Sequence, residues 1–172
     1  YPVFPCLIAN LLSQSNPCHI YDFGGGTGFI YFKIFPYLLH PENVTYHVVD
    51  SNPELFQIGK EHAKSIGNEN GIFFHTEMPK KGNEQFDILY INTSLQYIYD
   101  YSSFLISLLQ YEPQYVILTR LSAGDMKTYI TSENVHGHTT PYIFFNFQEI
   151  VDIFSQNGFR LLFKSPCARE VF

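Results

Sequence analysis

The chain has 172 residues, 45% of them hydrophobic and 17% aromatic with no Trp, which suits one domain with a sizeable core. Ten Lys and Arg against 16 Asp and Glu leave a net charge of −6, which argues against a nucleic-acid backbone as the main partner. No apolar run reaches the roughly 18 residues of a membrane span, no basic-then-apolar leader opens the chain, and three scattered cysteines (Cys6, Cys18, Cys167) make no disulfide framework, so a cytoplasmic location is expected.

Phe4 to Leu12 reads as a short apolar helix and Cys18 to Phe23 as a buried strand. A glycine loop follows, then a helix from Gly28 to Leu39 stopped by His40-Pro41. Thr45 to Val49 is a second strand ending at Asp50; Pro53 to Ile66 is a helix capped by Ser51 or Asn52, with Gly67 just past its end. Gly71 to His75 is a third strand, Lys80 to Glu84 a polar turn, and Phe86 to Ile91 a fourth, almost wholly apolar strand. Tyr101 to Gln110 is helical, Tyr115 to Thr119 a fifth strand, Phe147 to Gln156 a helix and Gly158 to Lys164 a sixth strand. Tyr1 opens the chain and Val171-Phe172 reads as the start of a further strand, so both ends look cut and the last strand truncated.

Strands that alternate with helices predict an α/β, Rossmann-like, doubly wound and mostly parallel sheet with helices on both faces. Residues 121–146 break the alternation. Tyr129-Ile130-Thr131 and Tyr142 to Phe145 read as extra short strands around a loop from Asn134 to Pro141. We therefore expect a single domain over 1–172 in which this insertion is a candidate lid over an acceptor.

The most informative stretch is Ile20-Tyr21-Asp22-Phe23-Gly24-Gly25-Gly26-Thr27-Gly28. A dinucleotide site wants G-x-G-x-x-G, and the third glycine falls on Phe29 or Tyr31 in the two available registers, so that fingerprint fails. No Lys follows the loop as a phosphate-binding Walker loop requires, and no Gly-x-Ser-x-Gly elbow is present. Asp22, Gly24, Gly26 and Gly28 instead fall at alternate positions. Glycines let the backbone turn and approach a ligand, the following helix start favours a carboxylate, and Asp22 can hold an ammonium. A plain strand-turn-helix with glycines for tightness is the alternative.

The D-x-G-x-G-x-G form resembles the first motif of class I S-adenosylmethionine-dependent methyltransferases. Together with Ser94-Leu95-Gln96-Tyr97-Ile98 and Thr119-Arg120, it resembles most closely a small, poorly characterised bacterial family whose methyltransferase activity is inferred from its fold, over about Cys18 to Phe163. The resemblance implies the class I methyltransferase fold, S-adenosylmethionine as cofactor with S-adenosylhomocysteine as product, and a small-molecule or saccharide acceptor. It implies cofactor contacts from Asp22, Gly24, Gly25, Gly26 and Gly28, from Asp50 and Ser51, from Thr76 and Glu77, and from Asn92 and Ser94.

Position at strand ends supports that set, because ligands of open α/β sheets sit beyond the carboxyl ends of the strands. A carboxylate at Asp50 suits a ribose diol in methyltransferases and NAD enzymes alike, or caps the next helix. Gln96 and Tyr97 are candidates to face the acceptor, or they cap and pack the Tyr101 helix. Arg120 clamps an acidic acceptor or pairs with Asp125. His136 and His138 are candidates for a general base or lie in an ordinary surface loop; no third ligand with metal spacing accompanies them, so no metal is expected. The segment after the fourth strand reads Asn92-Thr93-Ser94-Leu95 rather than Asn-Pro-Pro-Tyr, which disfavours base-amino and glutamine-amide acceptors. A cofactor-binding module of the same fold without catalysis is the second reading, and an NAD-type oxidoreductase a third.

Overall fold

The apolar runs become the strands of a parallel sheet, and the polar-flanked periodic segments become its helices. The computed structural model describes residues 3–14, 16–80, 86–135 and 137–166. The elements are α1 (Val3–Leu12), β1 (Cys18–Phe23), α2 (Phe29–Ile34), β2 (Val44–Val49), α3 (Glu54–Ser65), β3 (Ile72–His75), β4 (Ile88–Asn92), α4 (Tyr101–Leu109), β5 (Tyr115–Thr119), β6 (Ala123–Gly124), β7 (Tyr129–Val135), β8 (His138–Asn146) and α5 (Phe147–Gln156). They fall into two compact units. One takes the chain up to Asn92 together with Tyr111–Thr119; the other takes Thr93–Gln110 and the chain from Arg120 onward.

The first unit is a five-stranded sheet of order β3-β2-β1-β4-β5 in which every pairing is parallel. This is the expected Rossmann-like architecture, with the strand order reversing beside β1. Side chains alternate between faces along a strand. Cys18 and Ile20 of β1, Val44, Tyr46 and Val48 of β2 and Ile72 of β3 therefore share one face, and they form one core with Ala9 of α1, Ile30, Tyr31 and Ile34 of α2, and Phe56 and Ala63 of α3. Burying such side chains contributes about 1.5–3 kcal/mol each, which is why these strands assemble at all.

The helix expected from Gly28 to Leu39 is shorter. It ends at Ile34 and tightens into a 3-10 turn over Phe35–Tyr37, because Pro36 has no N–H to continue an α-helical ladder. At α3 the expected cap takes shape through Asn52, whose Oδ1 accepts the Glu54 N–H at 3.1 Å. Gly67, at φ 69°, lies just past its end.

In the second unit β7 and β8 form an antiparallel hairpin, with the short β6 alongside β8. The loop expected from Asn134 to Pro141 is largely strand: Asn134 pairs with Thr139 and Val135 with His138, because the two arms satisfy each other's backbone groups. His136 lies outside the described residues, as do most of the predicted Lys80–Glu84 turn, Cys167 and the predicted Val171-Phe172 strand.

Gly158 to Lys164 is not a strand, contrary to expectation, and joins neither sheet. Leu161, Leu162 and Phe163 are exposed. An apolar pattern supplies a strand only when a neighbour completes its hydrogen-bond ladder.

Side chains cap both helices of this unit. Asp100 accepts the Ser103 N–H at 3.2 Å at the start of α4, and Asn146 accepts the Glu149 N–H at 3.1 Å at the start of α5. Asn146 also donates to the Met126 carbonyl at 2.7 Å. Replacing Asn146 by Ala is expected to cost about 1–2 kcal/mol, read as a lowered urea midpoint. An unchanged midpoint would contradict the capping role.

Candidate functional site

The glycine loop leaves the end of β1 and turns through three left-handed residues, Gly24, Gly26 and Gly28, at φ 72°, 56° and 74°. At Gly28 a side chain is excluded twice, since a Cβ would also lie 2.6 Å from Ile72 Cδ1. Gly25 is needed for a different reason. Its φ is ordinary, but a Cβ there would lie 2.6 Å from Asp22 Oδ2. The carboxylate of Asp22 thus lies directly against the loop backbone.

Asp22 is 1% exposed. Its Oδ2 accepts the Tyr46 hydroxyl at 2.8 Å, and its Oδ1 has no partner among the described residues. Burial pushes its carboxyl up to about 7; Tyr46 opposes the shift, and the nearby Asp50 carboxylate adds to it. An unpaired buried carboxylate oxygen costs stability unless a donor reaches it. Tyr46, itself fully buried, went unnoticed in the sequence. It is an ordinary strand residue by pattern, and only the register of β1 on β2 brings it to Asp22.

Asp50 binds the loop from the next strand. Its Oδ2 accepts the Gly26 N–H at 3.0 Å and its Oδ1 the Asn52 N–H at 2.9 Å. Its own N–H donates to the His75 carbonyl at 3.0 Å, which joins the ends of β2 and β3. Gly24 N–H donates to the Val49 carbonyl at 2.7 Å. Ser51, Thr76 and Glu77 stand exposed beside this corner. Asn92 ends β4 and accepts the Thr119 hydroxyl at 2.9 Å, which also meets the Tyr90 hydroxyl at 2.8 Å. The first unit therefore carries all the expected cofactor residues except Ser94.

A second position missed by sequence reading is Gly59 of α3. A Cβ there would collide with the Thr27 carbonyl oxygen of the glycine loop and with the Phe74 ring. The helix seats the loop only because this residue is bare. An isolated glycine within a helical pattern was the available signal.

The second unit holds Ser94 and the residues expected to face an acceptor. Ser94 precedes a 3-10 turn over Leu95–Tyr97. Gln96 is buried, and its Nε2 donates to the Arg120 carbonyl at 3.1 Å while its Oε1 has no partner among the described residues. Arg120 is exposed and sits in the left-handed region at φ 55°; it forms no ion pair with Asp125. Tyr97 donates to the Glu133 carboxylate, and burial together with that bond pushes its phenol up to about 12. His138 is exposed at the start of β8.

A parallel sheet reversing beside β1, with an acid-flanked glycine loop at its carboxyl end, defines a Rossmann-like nucleotide-type fold. Solved structures of S-adenosylmethionine-dependent methyltransferases share that fold. Similar are the magnesium protoporphyrin IX methyltransferase ChlM from Synechocystis PCC 6803 with bound SAM (TM-score 0.60, 12% identity, 91% of this chain and 66% of that one), and coclaurine N-methyltransferase with N-methylheliamine and SAH (TM-score 0.52, 10% identity, 76% of this chain and 36% of that one). The [4+2]-cyclase SpnF is also similar (TM-score 0.61, 11% identity, 91% of this chain and 56% of that one), so the fold alone does not name the reaction. The chain thus spans about a third to two thirds of the length of these proteins. Neither a protein-family model nor a curated protein matches the sequence. No described helix is long and apolar enough to cross a membrane.

Proposed function

We propose that the chain binds S-adenosylmethionine in its first unit and transfers the methyl group to a small-molecule or saccharide acceptor. The observation that carries the cofactor is the bare, buried Oδ1 of Asp22 against the glycine loop. An ammonium such as that of a methionine moiety supplies the missing donor. Asp22, set against the loop backbone, favours a cationic group there over a pyrophosphate, which supports the methyl donor over NAD. When bound, the cofactor supplies a sulfonium methyl already activated for transfer.

Asp50 holds the loop with one lone pair on each oxygen and keeps the others for ribose hydroxyls. Thr76 and Glu77 would meet the adenine, Ser51 the ribose, and Asn92 the methionine part. Positioning, more than proton transfer, is what such a site has to provide. Tyr97 is a poor base, since its phenol stays protonated at neutral pH. Arg120 and His138 are the better candidates for binding and deprotonating an acceptor. Among the neighbours, the names coclaurine and magnesium protoporphyrin IX support a small-molecule acceptor. No observation favours the inactive binding module.

Calorimetric titration with S-adenosylhomocysteine tests this reading, with NAD as the control ligand. Saturable binding is expected, with no binding of NAD. Asp50→Ala should weaken it by about 100-fold, since charged hydrogen bonds contribute about 1.5–3 kcal/mol each. A folded chain that shows no saturable binding would sink the proposal.

A further inference from the structure

β3 ends the sheet on its side, and among the described residues no strand lies beyond it. Its pairing with β2 decides which backbone groups point outward. The Gly71 and His75 carbonyls accept the Tyr46 and Asp50 N–H groups at 2.9 and 3.0 Å. Backbone direction alternates along a parallel strand, so Gly71, Phe73 and His75 turn toward β2, while Ile72 and Phe74 turn their N–H and C=O to the open edge. Side chains alternate between the two faces. Ile72 and Phe74 pack into the core with Phe56 and Ala63 of α3. Phe73 and His75 lie on the other face, where His19, His47 and His75 form a diagonal row with successive ring nitrogens 3.4 and 3.1 Å apart. Phe73 packs against His47 with ring centroids 5.6 Å apart, and remains 43% exposed.

Sheet edges are ordinarily blunted against pairing by a Lys or Pro within the strand, or by a bulge. Ile72-Phe73-Phe74-His75 holds no Lys and no Pro, and it pairs with β2 residue for residue, without a bulge. A groove of about 430 Å³ runs along all of β3, bordered by Lys60 of α3 and by Glu69. These two charges mark opposite ends of the strand. Lys60 follows Gly59, which lies against the Phe74 ring toward the carboxyl end. Glu69 comes just before the amino end.

We propose that β3 is a self-association edge: two copies of the chain pair their β3 strands antiparallel about a two-fold axis, joining their sheets into one. An axis at Phe73 sets Ile72 opposite Phe74 of the second copy and Phe74 opposite its Ile72. Each outward N–H then finds a C=O across the axis. Between these pairs Phe73 meets Phe73 of the second copy at a non-hydrogen-bonded position, where side chains approach most closely. The exposed ring gains an aromatic partner and loses its contact with water. Strand reversal also brings the Lys60 end of one β3 to the Glu69 end of the other, so opposite charges meet at both ends of the contact. A second copy is favoured over an unrelated peptide because this edge is its own complement in backbone groups, in its central ring and in charge. The strand is short, so the dimer is weak and reversible.

Sedimentation equilibrium of the full chain without ligand, from about 10 μM to about 1 mM, tests this. The apparent mass should rise with concentration toward that of two chains. Phe73→Lys sets like charges directly opposite each other and removes the ring pair, so it should weaken association about 10-fold or more while the urea midpoint stays as in the parent. Phe73→Cys should give a disulfide-linked dimer on mild oxidation, because that pair is the closest across the axis. Lys64→Cys, exposed on α3, should crosslink no more than the parent chain. A chain that stays monomeric at about 1 mM, or a folded Phe73→Lys chain that associates as tightly as the parent, overturns the proposal. Should Phe73→Lys fail to fold, the crosslink decides: Phe73→Cys giving no more dimer than Lys64→Cys overturns it equally. These results stand whether or not the chain binds S-adenosylhomocysteine.

Discussion

At pH 8 the Asp22→Asn chain should be more stable than the parent and bind S-adenosylhomocysteine about 10–100-fold more weakly, the loss of a charged hydrogen bond of about 1.5–3 kcal/mol. Burial raises the Asp22 carboxyl from 3.8 to about 7, so between those values the folded chain keeps a proton that the unfolded chain has released. Stability is therefore fully present below the unfolded value and is lost as pH rises through about 7, by on the order of 4 kcal/mol in total. Asn carries no such dependence. It can still accept the Tyr46 hydroxyl, but an amide N–H₂ in place of the bare Oδ1 costs about 1–3 kcal/mol if unpaired. The net result is a gain of about 1–3 kcal/mol at pH 8 and a loss at pH 4. Urea midpoints of both chains at the two pH values measure it. A parent chain whose midpoint is flat with pH, together with a variant destabilised at both, would refute the account. The expected result would mean that the acid is held for the ligand at a cost to the empty fold, as at many functional sites.

Gly59→Ala should destabilise the chain by about 1–2 kcal/mol, although a helix interior favours Ala over Gly by about 1 kcal/mol. The opposing effect is overpacking, at about 1–3 kcal/mol and occasionally more. It lies at the upper end here because one of the two groups in the way is a backbone carbonyl, Thr27, which cannot rotate aside as a side chain can. The loop must shift or the helix must lift. Binding of S-adenosylhomocysteine should weaken together with stability, whereas Lys64→Ala, at an exposed position of the same helix, should change neither. If Gly59→Ala raises the urea midpoint, as propensity alone would have it, then α3 does not seat the loop.

Local pattern carried most of the first unit. The apolar runs at Cys18–Phe23, Val44–Val49 and Tyr115–Thr119 are strands because each is bounded by turn residues and is too short to bury as a helix. The alternate spacing of Asp22, Gly24, Gly26 and Gly28 marked the loop because left-handed backbone is a property of single residues. Pattern failed where a partner decides the outcome. His138 to Pro141 looks like loop chemistry yet is strand, since Ser132, Glu133, Asn134 and Val135 lie opposite to pair with it. Leu161 to Phe163 looks like strand chemistry yet is not, since neither sheet takes it in.

By itself, the sequence determined the parallel α/β class, the place of the glycine loop and the two acids beside it, all of which rest on short-range spacing. Tertiary structure alone decided that Tyr46 would hold one oxygen of Asp22 and leave the other bare, that Gly59 would face Thr27, and that His19, His47 and His75 would meet in a row. Tyr46 lies 24 residues from Asp22, and the histidines follow one another at intervals of 28. Only strand register brings groups that far apart in the chain to hydrogen-bonding distance, and register is set by which faces of β1, β2 and β3 are buried together.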